Sequence, residues 1–277
     1  MKIILLCGDQ GNQKALANKI NKKIKISSIV ALTQSLNTDK NKKNLKQIID
    51  RILKAFGAII TLSIYRRVWF GMLGYYEKKY PSFPIKPILS VGNINDQAVL
   101  DLVEKEKPDL VIVSGTNLLK THLIQVIRKN NGKIVNLHTG ISPYVKGGPN
   151  CTNWCLYLKE FGMIGNTVMW LDEGIDSGNI ISTEQTPLAG HESFFELHIK
   201  VMDHAHDLYL RVILSFIEGK ELNNVPQDSF QPSRLFLSKD WGLKHMVFCL
   251  INFYLFFKSD SKYFTSPSVP NLVRLED

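Results

Sequence analysis

Over the first 220 residues, short apolar runs alternate with stretches of helical periodicity, and Gly, Pro or Asn marks the junctions between them. The run at 109–114 (DLVIVS) is β-branched and has no polar alternation, as in a strand covered on both faces. These features predict an α/β fold: a Rossmann-like, mostly parallel sheet with crossover helices over residues 1–220, then a short, partly helical C-terminal extension over 221–277.

Residues 2–7 (KIILLC) read as a buried strand stopping at Gly8, residues 15–26 as a short basic helix, and 28–33 as a second strand. Residues 44–79 are apolar at roughly helical spacing and predict one or two helices, broken near Gly71 or Gly74. Pro81, Pro84 and Pro87 mark an extended connection into a strand at 88–91. Asn95 or Asp96 is placed to cap a helix at 97–106, because a short polar side chain satisfies the free amides of a first turn. Pro108 ends that helix, and 109–114 follows as the central strand. A helix at 118–129 and the turn Asn131-Gly132 lead to a strand at 133–137. Residues 151–159 read as helix, 166–171 and 179–186 as strands, and 193–217 as a long helix with Gly219 at its C-terminal end.

The segment 241–257 (WGLKHMVFCLINFYLFF) is short for a bilayer span of about 20 residues. It predicts a helix packed on the core or on a second subunit, without stable membrane insertion. The 277 residues are 44% apolar and 21% charged, a balance that excludes disorder and repeat-built fibres. Four cysteines in so long a chain suggest a reducing compartment, and the opening MKIILLCGDQGN has too short an apolar run for a signal peptide. The expectation is a cytoplasmic enzyme.

The net charge of +9 is concentrated in one place. Residues 1–54 carry twelve Lys and Arg against three acidic residues, and the other 223 carry 22 of each sign. A nucleic-acid patch or a lysine-rich surface beside a phosphate-bearing substrate each explains the excess. No aromatic residue interleaves with these lysines before Phe56, so no nucleic-acid partner is expected. Three other clusters carry little weight. Cys151 and Cys155 with His191, His198, His204 and His206 lack zinc spacing. Gly8-Asp9-Gln10-Gly11 is not a dinucleotide fingerprint. Asp203, His204, His206 and Asp207 read as the solvated face of the long helix.

Two segments carry chemistry: NLHTGISPYVKGGPN at 136–150 and DEGIDSG at 172–178. Alternate side chains of a strand share a face, so Asn136 and His138 project together where a parallel strand ends, the place open α/β sheets put ligands. An amide donor beside an imidazole suits addition at a carbonyl: one stabilises the developing oxyanion, the other moves a proton. On their own the two residues equally well cap a strand end. A carboxylate from the acidic loop would orient the imidazole and stabilise its charge.

In these residues the sequence resembles the formyltransferases that use 10-formyltetrahydrofolate. Their pattern is Asn-x-His, a Pro-containing Gly-rich loop, and then D-x-G-x-D-x-G. Here it reads NLHTGISPYVKGG and LDEGIDSG, with 38 residues from His138 to Asp176, and the central strand is PDLVIVSGT. The resemblance implies a catalytic triad of Asn136, His138 and Asp176. It also implies a folate held near Gly115, Thr116, Asn117, Leu118 and Leu119 and near Asp172 and Glu173, and no metal. The acceptor amine attacks the formyl carbon, Asn136 holds the oxyanion, and His138 with Asp176 passes the proton to the leaving nitrogen.

The departures bear on the acceptor. After the His, the tRNA-directed members read S-L-L-P-R-x-R-G where this chain has one lysine and no arginine, and residues 221–277 carry six basic against six acidic residues. This favours the members acting on nucleotide-linked amino sugars, such as a dTDP-4-amino-4,6-dideoxyhexose for O-antigen or other surface polysaccharide, which often dimerise through their C-terminal parts; a homodimer is expected. Tyr144, Lys146 and Gly147 are the expected acceptor contacts. Methionyl-tRNA, glycinamide ribonucleotide, hydrolysis of the formyl-folate and a non-catalytic nucleotide-binding or membrane-associated scaffold stay open at this point.

Overall fold

The computed structural model describes residues 1–33, 61, 63–148, 151–257 and 271–275. The apolar runs form one seven-stranded sheet in the order β3-β2-β1-β4-β5-β7-β8. Strands β1 (Ile3–Gly8), β2 (Ser28–Leu32), β3 (Leu89–Val91), β4 (Leu110–Ser114) and β5 (Lys133–His138) are parallel. Strands β7 (Gly165–Trp170) and β8 (Ile180–Gln185) complete the edge as an antiparallel hairpin, and the short β6 (Lys146–Gly147) and β9 (Leu235–Phe236) pair separately. The chain winds outward from β1 and restarts at β4 beside it, so the switch in strand order lies between the ends of β1 and β4. The mostly parallel α/β sheet read from the sequence is the observed architecture.

The two-residue period of β1 divides the core between two layers. Ile3, Leu5 and Cys7 pack with Leu16 and Ile20 of α1 (Gly11–Lys23) and with Leu208, Val212 and Ile213 of α6 (Phe194–Ile217). Ile4 and Leu6 face Val99 and Val103 of α3 (Gln97–Glu106) and Leu123, Ile124 and Ile127 of α4 (Thr121–Lys129). Helix α6 starts on a capping box in which Ser193 Oγ accepts from the Glu196 amide and the Glu196 carboxylate accepts from the Ser193 amide. Beyond its end Gly219 takes a left-handed backbone, φ +73°.

The predicted break at Gly71 or Gly74 does not occur. Helix α2 (Ser63–Lys79) runs through both glycines, and the rest of the predicted 44–79 region, residues 44–60 and 62 apart from Thr61, lies outside the described residues. A glycine costs a helix interior only about 1 kcal/mol, and the packing of buried Met72 and Tyr76 against α1 and α6 outweighs that. Gly71 also admits the Phe195 ring, which would stand 3.2 Å from a Cβ there. Asp96 is the cap residue of α3 but its side chain makes no capping bond. The neighbouring Asn95 instead bridges to Leu118 and Lys120, accepting from the Lys120 amide at 2.7 Å.

Residues 241–257 form α7 (Leu243–Asn252) and a wider turn at Phe253–Phe257. Cys249, Phe253 and Phe257 are buried among Cys151 and Cys155 of α5 (Cys151–Leu158) and Phe194 and Leu197 of α6. Asn252 donates to the carbonyls of Leu156 and Tyr157 at the end of α5. Among the described residues no helix is long and apolar enough to cross a membrane.

The expected solvated face of α6 holds at Asp207, which is exposed, and in part at Asp203, but not at the two histidines. His206 is fully buried beside Tyr76 with both ring nitrogens unpartnered, Asp203 accepts from the Tyr76 hydroxyl, and His204 bonds Glu184. The reason is that α2 brings Tyr76 over His206 and Asp203, while His204 faces Asn166 and Glu184 of the β7–β8 hairpin. Burial, assisted by Lys19, brings the His206 imidazole from 6.5 down to about 3. The group is therefore buried neutral and gains a proton on unfolding. Its contribution to stability is present above pH 6.5 and is lost as pH falls from there towards 3, by up to about 1.4 kcal/mol per pH unit. Denaturant unfolding of His206→Phe should show a shallower loss over that window; parallel profiles for the two proteins would refute this account.

The Tyr209 hydroxyl, fully buried, accepts from the Val113 amide at 3.0 Å and donates to the Val135 carbonyl at 2.7 Å. It thus sits between β4 and β5 one residue before the strands separate. Tyr209→Phe should cost about 1–3 kcal/mol in chemical denaturation, the range for orphaning a buried backbone group; a change within ±0.5 kcal/mol would show that another group satisfies the strands.

Candidate active site

Strand β5 ends at the C-terminal rim of the sheet, where Asn136 and His138 meet Asp176 from the loop joining β7 to β8. Asn136 Nδ2 donates to Asp176 Oδ1 at 3.3 Å, and His138 Nδ1 lies 3.2 Å from Oδ2. The Gly147 amide donates to the same Oδ2 at 3.1 Å. His138 Nε2 is 3.0 Å from the Val145 carbonyl and 3.6 Å from Cys151 Sγ. A carbonyl only accepts, so Nε2 carries a hydrogen towards Val145. A proton taken up by Nδ1 or by the carboxylate would be shared across the 3.2 Å between them.

Two loops hold these groups, and a third lies beside them. In the loop before β8, the Asp172 carboxylate accepts from the Gly174 amide and the Ser177 hydroxyl. Gln227 Nε2 donates to the carbonyls of Asp176 and Gly178 at 2.8 and 2.7 Å. Asp176 itself has a left-handed backbone, φ +47°, a conformation Asp tolerates better than most residues. In the loop after β5, Thr167 Oγ1 donates to the Gly140 carbonyl and accepts from the Ser142 amide. A Cβ on Gly140 would fall 2.5 Å from His138 Nε2, so only glycine leaves the ring its place. The third loop is tied by asparagines: Asn117 accepts from the Ile94 amide and donates to Asn93.

A cleft of about 470 Å³ opens over the triad. Its lining includes Asn136, His138 and Asp176, the stretch Gly115, Thr116, Asn117, Leu118 and Leu119, and Asp172 and Gly147. Glu173, Tyr144 and Lys146 do not line it. Tyr144 is 6% exposed, packs edge-on to Phe230 and gives its carbonyl to Arg234 Nε. Lys146 sits in β6 and is bonded through its backbone to Arg234. Asn117 and Asp172 spend their side chains on loop structure. Sequence reasoning missed Gln227, the Val145 carbonyl, and Leu237 and Ser238, which also line the cleft. Gln227, Leu237 and Ser238 lie outside both motif segments, and Val145, inside 136–150, acts through its backbone carbonyl. Among the described residues no group of three or more His, Cys, Asp or Glu is placed to hold a metal ion.

Among curated proteins, the methionyl-tRNA formyltransferase of Syntrophus aciditrophicus is 33% identical over 159 residues, 57% of this chain and 49% of that protein. The chain spans about half the length of the curated relatives it matches. Among solved structures, a sugar N-formyltransferase from a Shewanella species superposes with a TM-score of 0.56 at 14% identity, covering 91% of this chain and 88% of that one. An N-formyltransferase from Helicobacter canadensis, described in complex with folinic acid and dTDP-3-aminofucose, gives 0.54 at 14% identity, covering 91% and 81%. At such identities the structural likeness is one of fold. The family model described as formyl transferase matches residues 1–213, a span that includes both motif segments and all of β1 to β8. This chain belongs to the formyl transferase family.

Proposed function

We propose that this chain transfers a formyl group from 10-formyltetrahydrofolate to the primary amine of a nucleotide-linked amino sugar. The observation that carries the reading is the convergence of Asn136, His138 and Asp176 beneath one cleft at the end of β5. The cleft residues fit a folate. Its volume is in the range of small-molecule sites, Val113, Leu119, Met169 and Leu171 are apolar walls for a flat ring, and the backbone of residues 115–119 lies along its edge. The donor, when bound, supplies a formyl carbon on a nitrogen that becomes a leaving group once protonated.

The chain's own groups divide the remaining work. Asn136 commits one amide hydrogen to Asp176 and offers the second to a carbonyl oxygen gaining negative charge. The His138–Asp176 pair takes a proton from the attacking amine and returns it at the departing nitrogen. The Val145 carbonyl fixes the ring during both transfers. The acceptor class is supported by the family resemblance of residues 136–178 and by the nucleotide-linked sugar described with the Helicobacter canadensis enzyme. The Syntrophus aciditrophicus identity favours methionyl-tRNA as a second reading.

Purified protein given 10-formyltetrahydrofolate should formylate dTDP-4-amino-4,6-dideoxyglucose, with the new formamide detected by mass spectrometry. Formylation of methionyl-tRNA in its place would establish the second reading, and neither product would defeat both. Asn136→Ala, His138→Ala and Asp176→Asn should each lower kcat about 10²- to 10⁴-fold with folinic acid still bound. Turnover within a few-fold of wild type would remove the residue from the mechanism.

Gly140→Ala tests the ring position separately. The added methyl displaces His138 and should lower kcat at least tenfold with KM for the donor little changed. An unaltered kcat would show that the ring's contact with Val145 is dispensable.

A further inference from the structure

Helix α2 has an outward face that the fold does not use. Phe70 stands in the middle of it, 58% exposed, with Arg66 and Arg67 one turn before and Gly74 one turn after. A Cβ on Gly74 would meet nothing within 4 Å. Trp69, 40% exposed, and Tyr75 flank this face, and the exposed Lys78 and Lys79 end it. The only carboxylate of the helix, Glu77, is held by Lys14 of α1 at 2.6 Å, so among the described residues no acid pairs with the four cations.

Helix α7 adjoins α2, where the Tyr65 hydroxyl donates to the Met246 carbonyl at 2.9 Å. Its outward side repeats the pattern. Phe248 and Ile251 are exposed there and share a surface groove with Lys159 and Lys244. Clustered apolar side chains left in water mark a surface that meets something else.

The details separate the occupants such a surface can take. A nucleic acid would stack its bases on the rings. Arg66, however, stands over the Phe70 ring at 5.7 Å and Lys79 over the Tyr75 ring at 5.9 Å, so a cation of the same helix already covers one face of each. Phe248 and Ile251 offer a phosphate backbone nothing. A second copy would bring the four cations of α2 against their own equivalents across a two-fold axis. Anionic lipid satisfies both kinds of side chain at once: its headgroups take the cations, and the rings enter the boundary between headgroups and chains. We infer that the outward face of α2, continued by that of α7, docks this enzyme on the surface of an anionic bilayer without crossing it.

Sedimentation of the full-length protein with lipid vesicles tests the docking. The protein should pellet with vesicles of equal parts phosphatidylglycerol and phosphatidylcholine and stay in solution with phosphatidylcholine alone. Trp69→Ser with Phe70→Ser, and separately Arg66→Glu with Arg67→Glu, should each weaken vesicle binding about tenfold or more, with circular dichroism unchanged. Lys105→Glu with Lys129→Glu, on α3 and α4 across the sheet, should leave it intact. The inference is overturned if anionic vesicles fail to pellet the protein, if neutral vesicles pellet it equally, or if the Lys105 and Lys129 pair matters as much as the α2 pairs. It is overturned as well if the α2 variants instead abolish binding of tRNA, or split a lipid-free dimer into monomers in analytical ultracentrifugation. Vesicle binding is read without donor or acceptor, so it is decided apart from which amine the enzyme formylates.

Discussion

One carboxylate organises the site. Asp176 accepts from Asn136, from the Gly147 amide and at His138, so its two oxygens tie together the end of β5, the glycine loop after it and the loop before β8. A mostly buried carboxylate loses hydration and must recover it through donors. Here the donors are the same groups whose positions the chemistry needs. The satisfaction of one buried charge and the orientation of an amide and an imidazole are therefore a single constraint.

That constraint reaches into the residues beyond the family match. Gln227 holds the backbone on both sides of Ser177. Strand β9 pairs with β6, and at Gly147, φ +92°, a Cβ would lie 2.2 Å from the Phe236 carbonyl. Arg234 bridges the Tyr144 carbonyl and the Glu160 carboxylate. The match over residues 1–213 contains every group that touches the proposed reaction, and the following segment holds those groups still.

The parts legible in the sequence are those written locally. Strands β1 and β4 are unbroken apolar runs, the mark of strands covered on both faces. Asn136 and His138 share a face for the same reason, and the glycines at 140, 147, 174 and 178 mark close backbone approaches. The illegible parts depend on partners far along the chain. Burial of His206 needs Tyr76, about 130 residues away. Tyr209 reads as one more apolar position of a long helix, with nothing to show that its hydroxyl would enter the sheet. Tyr144 and Lys146 are near the His in sequence, yet the turn around Pro143 carries them towards Arg234 and away from the cleft. Proximity in sequence misled where a loop reverses.

The left-handed backbone at Asp176 shows why the supporting contacts are needed. Such a conformation costs a non-glycine residue of order 1 kcal/mol and persists only where its surroundings over-determine it. Asp172 closes the loop from one side, Gln227 clamps it from another, and Gly178 lets the chain return against the Trp170 carbonyl, which would lie 1.7 Å from a Cβ. Held this way, the carboxylate reaches back to β5 instead of out to solvent. With the Nε2 hydrogen directed at Val145, Nδ1 and Oδ2 are the positions of the pair left to take up and release a proton. The strained loop thus gives the carboxylate a defined position beside the ring.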